Sequence, residues 1–302
     1  MSAKAWLSAM RLRTLPLSLS SIILATFIAA ADGVFDGITF TLALATTVLL
    51  QILSNLANDY GDGVKGTDNA ERLGPKRAVQ SGVITVAQMK IGVILFSVLS
   101  FASGLSLVFY SLKDAGTAAI STFILLGLAS IAAAIMYTVG KKAYGYHGLG
   151  DVFVFIFFGI TGVLGTYFLY AKALRWELLL PAISIGALSM GVLNLNNMRD
   201  IDNDRASGKI TLAVRLGSHK AKVYHYLLLL SAFLCALAFA WTNHLSMMGY
   251  AFALLALWWG KQAGFIHNNT NPRALDPLLK QLAISTLLLA LSLGGGIYLF
   301  QA

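Results

Sequence analysis

The chain has 302 residues, of which 57% are hydrophobic and only 12% charged, with a mean hydropathy of +0.74. A soluble domain carries roughly twice that charged fraction, because a water-facing surface has to be polar, so soluble, secreted, fibrous and disordered classes are all excluded. The formal net charge of +9 would suggest nucleic acid in a soluble protein; in a membrane protein it reads as a topology signal and implies no nucleic-acid partner.

Crossing about 30 Å of hydrocarbon takes roughly 20 apolar residues in a helix. Nine stretches meet that demand in chain order, near residues 15–31, 37–57, 91–112, 115–137, 152–171, 178–198, 223–242, 246–266 and 281–300. The sequence therefore predicts an all-α membrane protein with nine transmembrane helices, forming a single integral-membrane domain over residues 1–302. The first stretch, preceded by Lys4, Arg11 and Arg13 and ending Ala29-Ala30-Ala31, also resembles a secretory signal. With eight further spans behind it, a first membrane helix is the better reading.

The loops then report orientation. Nineteen Lys and Arg fall in the N-terminal arm and the alternate loops on its side, against three (Lys113, Lys172 and Arg175) on the other. The positive-inside rule places the N-terminus and the long loops in the cytoplasm and the C-terminus outside. Cys235 is the only cysteine, and His147, His219, His225, His244 and His267 are scattered. A disulfide is thereby excluded, and no cysteine- or histidine-based metal spacing is present.

The acids are concentrated where cations are expected. Asp59, Asp62, Asp68 and Glu71 follow the second span, and Asp200, Asp202 and Asp204 follow the sixth. For an isolated Asp, loop charge balance would be the reading, but the spacing argues otherwise. Asn58 and Asp62 are four apart, as are Asn196, Asp200 and Asp204, so each set shares one helix face. The offset from Asn58 to Asn196 and from Asp62 to Asp200 is 138 residues, which predicts a two-fold four-helix pseudo-repeat plus one extra helix. Two facing groups of hard oxygen ligands suit Mg2+, which binds through a few carboxylates and substrate phosphates. The interleaved Lys65, Arg72, Lys76, Arg77, Arg205 and Lys209 could hold phosphate oxygens. Both sets were expected at water-accessible helix ends. Gly61-Asp62-Gly63-Val64-Lys65-Gly66 matches G-x-G-x-x-G by chance, since a membrane span rather than a strand precedes it. Its glycines are better read as ending the helix. No P-loop is present.

The segments carrying these residues resemble the UbiA superfamily of membrane prenyltransferases. Asn55 to Asp68 resembles its first aspartate-rich motif, Arg199-Asp200-Ile201-Asp202-Asn203-Asp204 its second, and Tyr137-Thr-Val-Gly-Lys141 its YxxxK segment. Thr14-Leu15-Pro16, Gln51 to Asp62, Gly145-Tyr-His-Gly-Leu-Gly-Asp151 and Thr211 to Gly217 resemble the branch that prenylates 1,4-dihydroxy-2-naphthoate in menaquinone synthesis. One departure is the last Asp of the first motif, which falls at Asp68 where the superfamily pattern would put it at Gly66.

The resemblance implies transfer of a polyprenyl group from an allylic polyprenyl diphosphate to 1,4-dihydroxy-2-naphthoate, with loss of CO2 and diphosphate, in the inner membrane of a bacterium. No protein partner is implied. Asp59, Asp62, Asp68, Asp200 and Asp204 would hold Mg2+, with Asp62, Asp200, Asp204 and Lys141 catalytic. Asn58, Arg72, Tyr137, Asn196 and Lys209 would bind substrate. Aromatic faces would stabilise an allyl cation in a cavity open to lipid, with Tyr137, Phe155 and Tyr167 as candidates and core packing the stronger reading for Phe155 and Tyr167. Arg11 and Arg13 could meet the acceptor carboxylate, with positive-inside anchoring the stronger reading. Prenylation of another ring, such as 4-hydroxybenzoate, remains an alternative. A secondary transporter is a second one, weakened because the acids lie at helix ends rather than at the membrane midplane.

Overall fold

The computed structural model describes residues 3–300, so Met1, Ser2, Gln301 and Ala302, including the C-terminal residue expected outside, lie beyond the described residues. Among the described residues the chain is helical, without strands. A short helix α1 (Ala3–Met10) lies ahead of α2 (Leu15–Ala31), and α3 (Gly37–Lys65), α4 (Val86–Ser111) and α5 (Gly116–Met136) follow as long apolar helices. Asp36 N-caps α3 by accepting from the Thr39 N–H at 2.6 Å, and Thr85 with Gln88 forms a capping box on α4.

The next crossing is composite. α6 (Gly150–Val154) and α7 (Thr166–Ala171) are joined by a π-helix over Phe155–Gly165. π geometry is rare and concentrates at functional sites, and here it lines the main cavity. A Cβ at Gly159 would lie 2.6 Å from the Ala182 carbonyl oxygen and 2.9 Å from Gly186 Cα. Only glycine lets this wide helix approach α8 (Leu179–Arg199) so closely. The chain continues through α9 (Ile201–Ala206) to α10 (Leu212–Thr242), which kinks at Gly217.

Among the described residues eight helices are long and apolar enough to cross a membrane, yet the contacts require nine crossings. Asn243 at the end of α10 accepts from Arg175 at 3.5 Å, and Arg175 also binds Asp32 at the end of α2. The Ser246 N–H donates to the Phe300 carbonyl at 2.9 Å. Asp32, Arg175, Asn243, Ser246 and Phe300 thus share one end of the bundle. At the other end Lys222, in the first turns of α10, bonds the His267 and Asn269 carbonyls, and Asp276 pairs with Arg199. The chain between Ser246 and Asn269 must therefore return across the membrane. It does so as a 3-10 helix (Met247–Leu254) followed by α11 (Leu255–Asn268), before α12 (Asp276–Phe300) crosses last. At about 2.0 Å per 3-10 residue and 1.5 Å per α-residue, the pair spans roughly 37 Å, enough for the hydrocarbon. The break at Leu254 leaves no single long helix in this crossing.

Candidate active site

α3 runs unbroken past the apolar stretch and carries Asp59 and Asp62 on its last turns. It stops at Gly66, whose left-handed backbone (φ 73°) suits glycine because no Cβ meets the carbonyl. The N–H groups of Thr67 and Asp68 then turn back onto the Asp62 carbonyl at 3.1 and 3.4 Å. This turn folds Asp68 under the end of α3. The second motif is built likewise. α8 ends at Arg199, the Asp204 N–H bonds the Asp200 carbonyl at 2.8 Å, and the Lys209 N–H returns to the Asp204 carbonyl at 2.8 Å.

The two motifs face each other through cations. Lys209 Nζ reaches across to Asp62 Oδ2 at 3.3 Å, and Arg72 stands between Asp68 (3.1 Å) and Asp200 (3.7 Å). Arg77 lies 3.5 Å from Asp68 and donates to Asn58 Oδ1 at 3.2 Å, while Arg199 donates to Asp200 and to Asn196 Oδ1. The loops also meet directly: Asn203 donates to the Thr67 carbonyl at 3.0 Å, and Asn69 to Ser207 at 3.5 Å. Asn69 and Ser207 are themselves 138 positions apart, the offset that relates the two motifs.

Burial corrects the expectation of water-accessible helix ends. Asp59 and Asp62 are each 1% exposed, Asp204 3%, Asp200 4% and Asp68 7%. Burial first, then the neighbouring Asp62 charge, pushes the Asp68 carboxyl up to about 7, with Arg72 opposing. Asp204 is likewise pushed up to about 7 by burial, with Lys209 opposing and Asp200 and Asp62 adding to the rise. Lys209 is raised above the ordinary lysine value: burial works against its charge, but Asp62 and Asp204 outweigh it. Asp59 has a further task, accepting from the Ala78 and Val79 N–H groups at 3.2 and 3.5 Å, and so holds the loop that carries Arg77.

Other expected residues divide. Tyr137 lines the main cavity, together with Asn58, Asn196 and Lys209. Lys141 lies exposed on the turn after Tyr137, outside the cluster, because the chain leaves the helix at Met136 and the turn points it to the surface. Phe155 packs against Gly186, on the far side of the π-helix from the cavity. Tyr167 donates to Asp32 at 2.6 Å at the opposite end of the bundle, so neither faces the reaction end. Asp202 is 87% exposed.

Tyr146 is a residue that helical spacing could not find. Its hydroxyl donates to Asp62 Oδ1 at 2.8 Å and pairs with Thr67 Oγ1 at 2.5 Å, while its ring lies 3.8 Å from Lys65 Nζ and 5.4 Å from Lys209 Nζ. It therefore orients Asp62 and seats both lysines by cation–π contact. The signal for it in the sequence is the glycine-rich Gly145–Asp151 segment.

A cavity of about 410 Å3 opens from this cluster between the helices. Beyond the polar end its wall is mostly apolar, interrupted by hydroxyls such as those of Ser21, Thr46 and Ser130, and aromatic rings follow one another along it. Tyr137 and Tyr144 lie 5.4 Å apart edge to face, Tyr144 stacks on Phe153 at 3.9 Å, and Phe153 lies 6.3 Å from Phe157.

Among the described residues no three ligand-type side chains close around one point, since cations stand between the carboxylates. The donor set nonetheless fits a hard divalent ion brought in with phosphate. Both Asp68 carboxylate oxygens are buried without a hydrogen-bond partner, their arginine neighbours being close but misaligned. Mg2+ takes only one or two carboxylates and fills its remaining positions with water and phosphate oxygens.

Residues 18–281 match the UbiA prenyltransferase family. The 1,4-dihydroxy-2-naphthoate octaprenyltransferase of Haemophilus influenzae is 45% identical over 291 residues, covering 95% of this chain and 93% of that protein. The protein of the same name from Escherichia coli is 45% identical over 298 residues, covering 99% and 96%. The one from Mycobacterium tuberculosis is 37% identical, covering 97% and 96%. A UbiA homologue from Aeropyrum pernix K1 superposes with a TM-score of 0.66 at 18% identity, covering 90% of this chain and 96% of that one. A UbiA homologue from Archaeoglobus fulgidus bound to GPP and Mg2+ gives 0.63 at 15% identity, covering 96% and 99%. At such identities the structures speak for the fold, and the near full-length relatives speak for descent. The chain belongs to the UbiA prenyltransferase family.

Proposed function

We propose that the protein transfers a polyprenyl group from an allylic polyprenyl diphosphate to 1,4-dihydroxy-2-naphthoate, releasing diphosphate and CO2 and giving demethylmenaquinol. The observation that carries this reading is a buried acid–cation cluster that borders, through Asn58, Arg77, Asn196 and Lys209, a cavity whose wall is mostly apolar and aromatic. One end suits a diphosphate and the other an isoprenoid chain. The acceptor is named from relatives 45% identical over nearly the whole chain.

In this reading Asp59, Asp62, Asp68, Asp200 and Asp204 would hold Mg2+, which when bound would supply positive charge to stabilise departing diphosphate. Asp59 does so while tied to the 78–79 backbone. Arg72, Arg77 and Lys209 give up part of their carboxylate pairing to take phosphate oxygens. Asn58 and Asn196, held by Arg77 and Arg199, border the same space. Lys141, exposed and apart, has no share in it. Tyr137, Tyr144 and Phe153 present ring faces along the path of the allyl group, where they attract developing positive charge. The apolar wall excludes water, which would otherwise trap the allyl cation as an alcohol. The cluster faces the cytoplasm of a bacterium, the bundle lies in its inner membrane, and both prenyl substrate and product reside in that lipid.

Membranes containing the protein, incubated with a polyprenyl diphosphate and either 1,4-dihydroxy-2-naphthoate or 4-hydroxybenzoate, with and without Mg2+, test the reading through the lipid product. Prenylated naphthoquinol formed only with Mg2+ is expected. Product from 4-hydroxybenzoate alone would replace the acceptor, and product in the presence of a chelator would remove the metal.

A further inference from the structure

Beside the main cavity lies a second chamber of about 390 Å3, within the ~300–1,000 Å3 typical of small-molecule sites. It opens between α1, the 72–78 loop, the end of α8 and the start of α12. Its lining carries seven basic side chains against two acidic ones, Asp59 and Asp276. Most of the inner cations are already engaged: Arg72 and Arg77 with Asp68, Arg199 with Asp200 and Asp276, and Arg13 with Asp276. Arg11 is the exception. Its Nη2 is buried and has no hydrogen-bond partner among the described residues.

The backbone at Arg11 is equally unusual. It is left-handed (φ 47°, ψ 54°) in a residue with a full side chain, at the joint between α1 and the turn leading to α2. Such a conformation persists only where its surroundings over-determine it. Here Thr14 donates to the Arg11 carbonyl at 2.9 Å through both its N–H and its hydroxyl. Asn55 of α3 then donates to the Met10 carbonyl at 2.9 Å and to Thr14 Oγ1 at 3.1 Å. The joint is clamped from α3, and the clamp holds an unpaired guanidinium on a chamber wall.

We propose that this chamber admits and seats the aromatic acceptor from the cytoplasmic side, with the acceptor's carboxylate on Arg11. The proposal rests on the function read above. Its ligand class is a planar aryl carboxylate, because apart from Ser8, Thr14 and Asn196 the uncharged lining is apolar, with Leu7, Leu12, Leu17, Val192 and Leu279 offering a surface for a ring. A bare inorganic diphosphate would match the cations but not these side chains. Arg11, Thr14, Leu17, Val192 and Asn196 also line the main cavity. A ring seated against that shared wall adjoins the space of the allyl group, so the anionic acceptor and the lipid-borne donor need not share one route.

The test uses the full-length protein in detergent and three probes: 1-hydroxy-2-naphthoate, 1-naphthol (the same ring without the carboxylate) and inorganic diphosphate. Arg11→Gln is expected to weaken 1-hydroxy-2-naphthoate binding at least tenfold, with 1-naphthol and diphosphate binding unchanged. Arg11→Lys, which keeps the charge but loses the bidentate fork, is expected to fall between. A melting temperature close to that of the unaltered protein shows that the joint still folds. In turnover, KM for the acceptor should rise while KM for the donor holds. Equal loss of the acid and 1-naphthol, loss of diphosphate alone, or no loss at all would overturn the role of Arg11 and leave the acceptor's identity standing. Failure of the unaltered protein to bind either naphthalene, together with prenylation of a different ring only, would overturn the functional reading and this proposal with it.

Discussion

Asp62 is bound from three sides, by Lys209, by the Tyr146 hydroxyl and by the backbone turn after Gly66. Removing its charge should therefore cost both activity and stability. Asp62→Asn deletes one negative ligand of the Mg2+ that would neutralise the leaving group, and a loss of about 3 kcal/mol of transition-state stabilisation lowers prenyl transfer on the order of a hundredfold. It also breaks the buried Lys209 ion pair and leaves only Asp204 to offset that charge, a loss of up to ~3–5 kcal/mol. Thermal unfolding in detergent without substrate should show that drop, whereas the exposed Asp202→Asn should melt like the parent. An Asp62→Asn protein with normal turnover would remove the carboxylate from the mechanism.

Asp68 and Asp204 carry a pH signature of their own. Both sit near 7 instead of the ordinary 3.8, so between those values the folded, metal-free protein holds more protons than the unfolded chain. Their contribution to stability is full below about 4 and is lost as the pH rises through 7. Ligation needs the carboxylates ionised, so binding of Mg2+ with geranyl diphosphate should expel protons below pH 7. Calorimetry in two buffers of different ionisation enthalpy should report release of up to about two protons at pH 6 and almost none at pH 8. Equal heats in both buffers at pH 6 would mean that these carboxyls do not change state on binding.

At the scale of elements, the π-helix over Phe155–Gly165 brings Phe157, Phe158 and Thr161 to the cavity while Gly159 lies against α8. Gly159→Val would push branched carbons into the Ala182 carbonyl and Gly186. Overpacking of this kind costs about 1–3 kcal/mol, so the melting temperature should fall. An unchanged melting temperature would show that the helices are not in such close contact. The eighth crossing shows what apolar periodicity conceals. Residues 246–266 are apolar enough to be read as a span, but the 3-10 turn over Met247–Leu254 shortens its α-helical part to 14 residues. Hydropathy registers the crossing; its helix type follows from packing against α12.

For the whole molecule, nine crossings put the described ends of the chain on opposite faces, consistent with the 19:3 division of basic residues. In a Cys235→Ala background, single cysteines at Glu71 and Arg205, both exposed on the cluster side, should be shielded in intact cells from a membrane-impermeant thiol reagent. A cysteine at Asp114, exposed at the other end, should react. Labelling at 71 or 205 from outside would invert the orientation and move the proposed site with it.

Composition, hydropathy and charge placement were sufficient to determine that this is a helical membrane protein, how many times it crosses, and which loops carry the acids. Those properties depend on the chain's interaction with lipid and water, which each segment experiences by itself. The two aspartate sets and their 138-residue offset were legible for a related reason: a helix places residues four apart on one face whatever surrounds it. The partners of those acids could not be read locally. That Lys209 crosses to Asp62, that Lys141 is left on the surface, that Tyr146 orients Asp62 and that Tyr167 belongs to the far end depend on how helices distant in sequence are set side by side. Burial of the aspartates and the unpaired guanidinium of Arg11 arise the same way. Exposure and charge pairing are properties of the packed bundle, so only the tertiary structure could decide them.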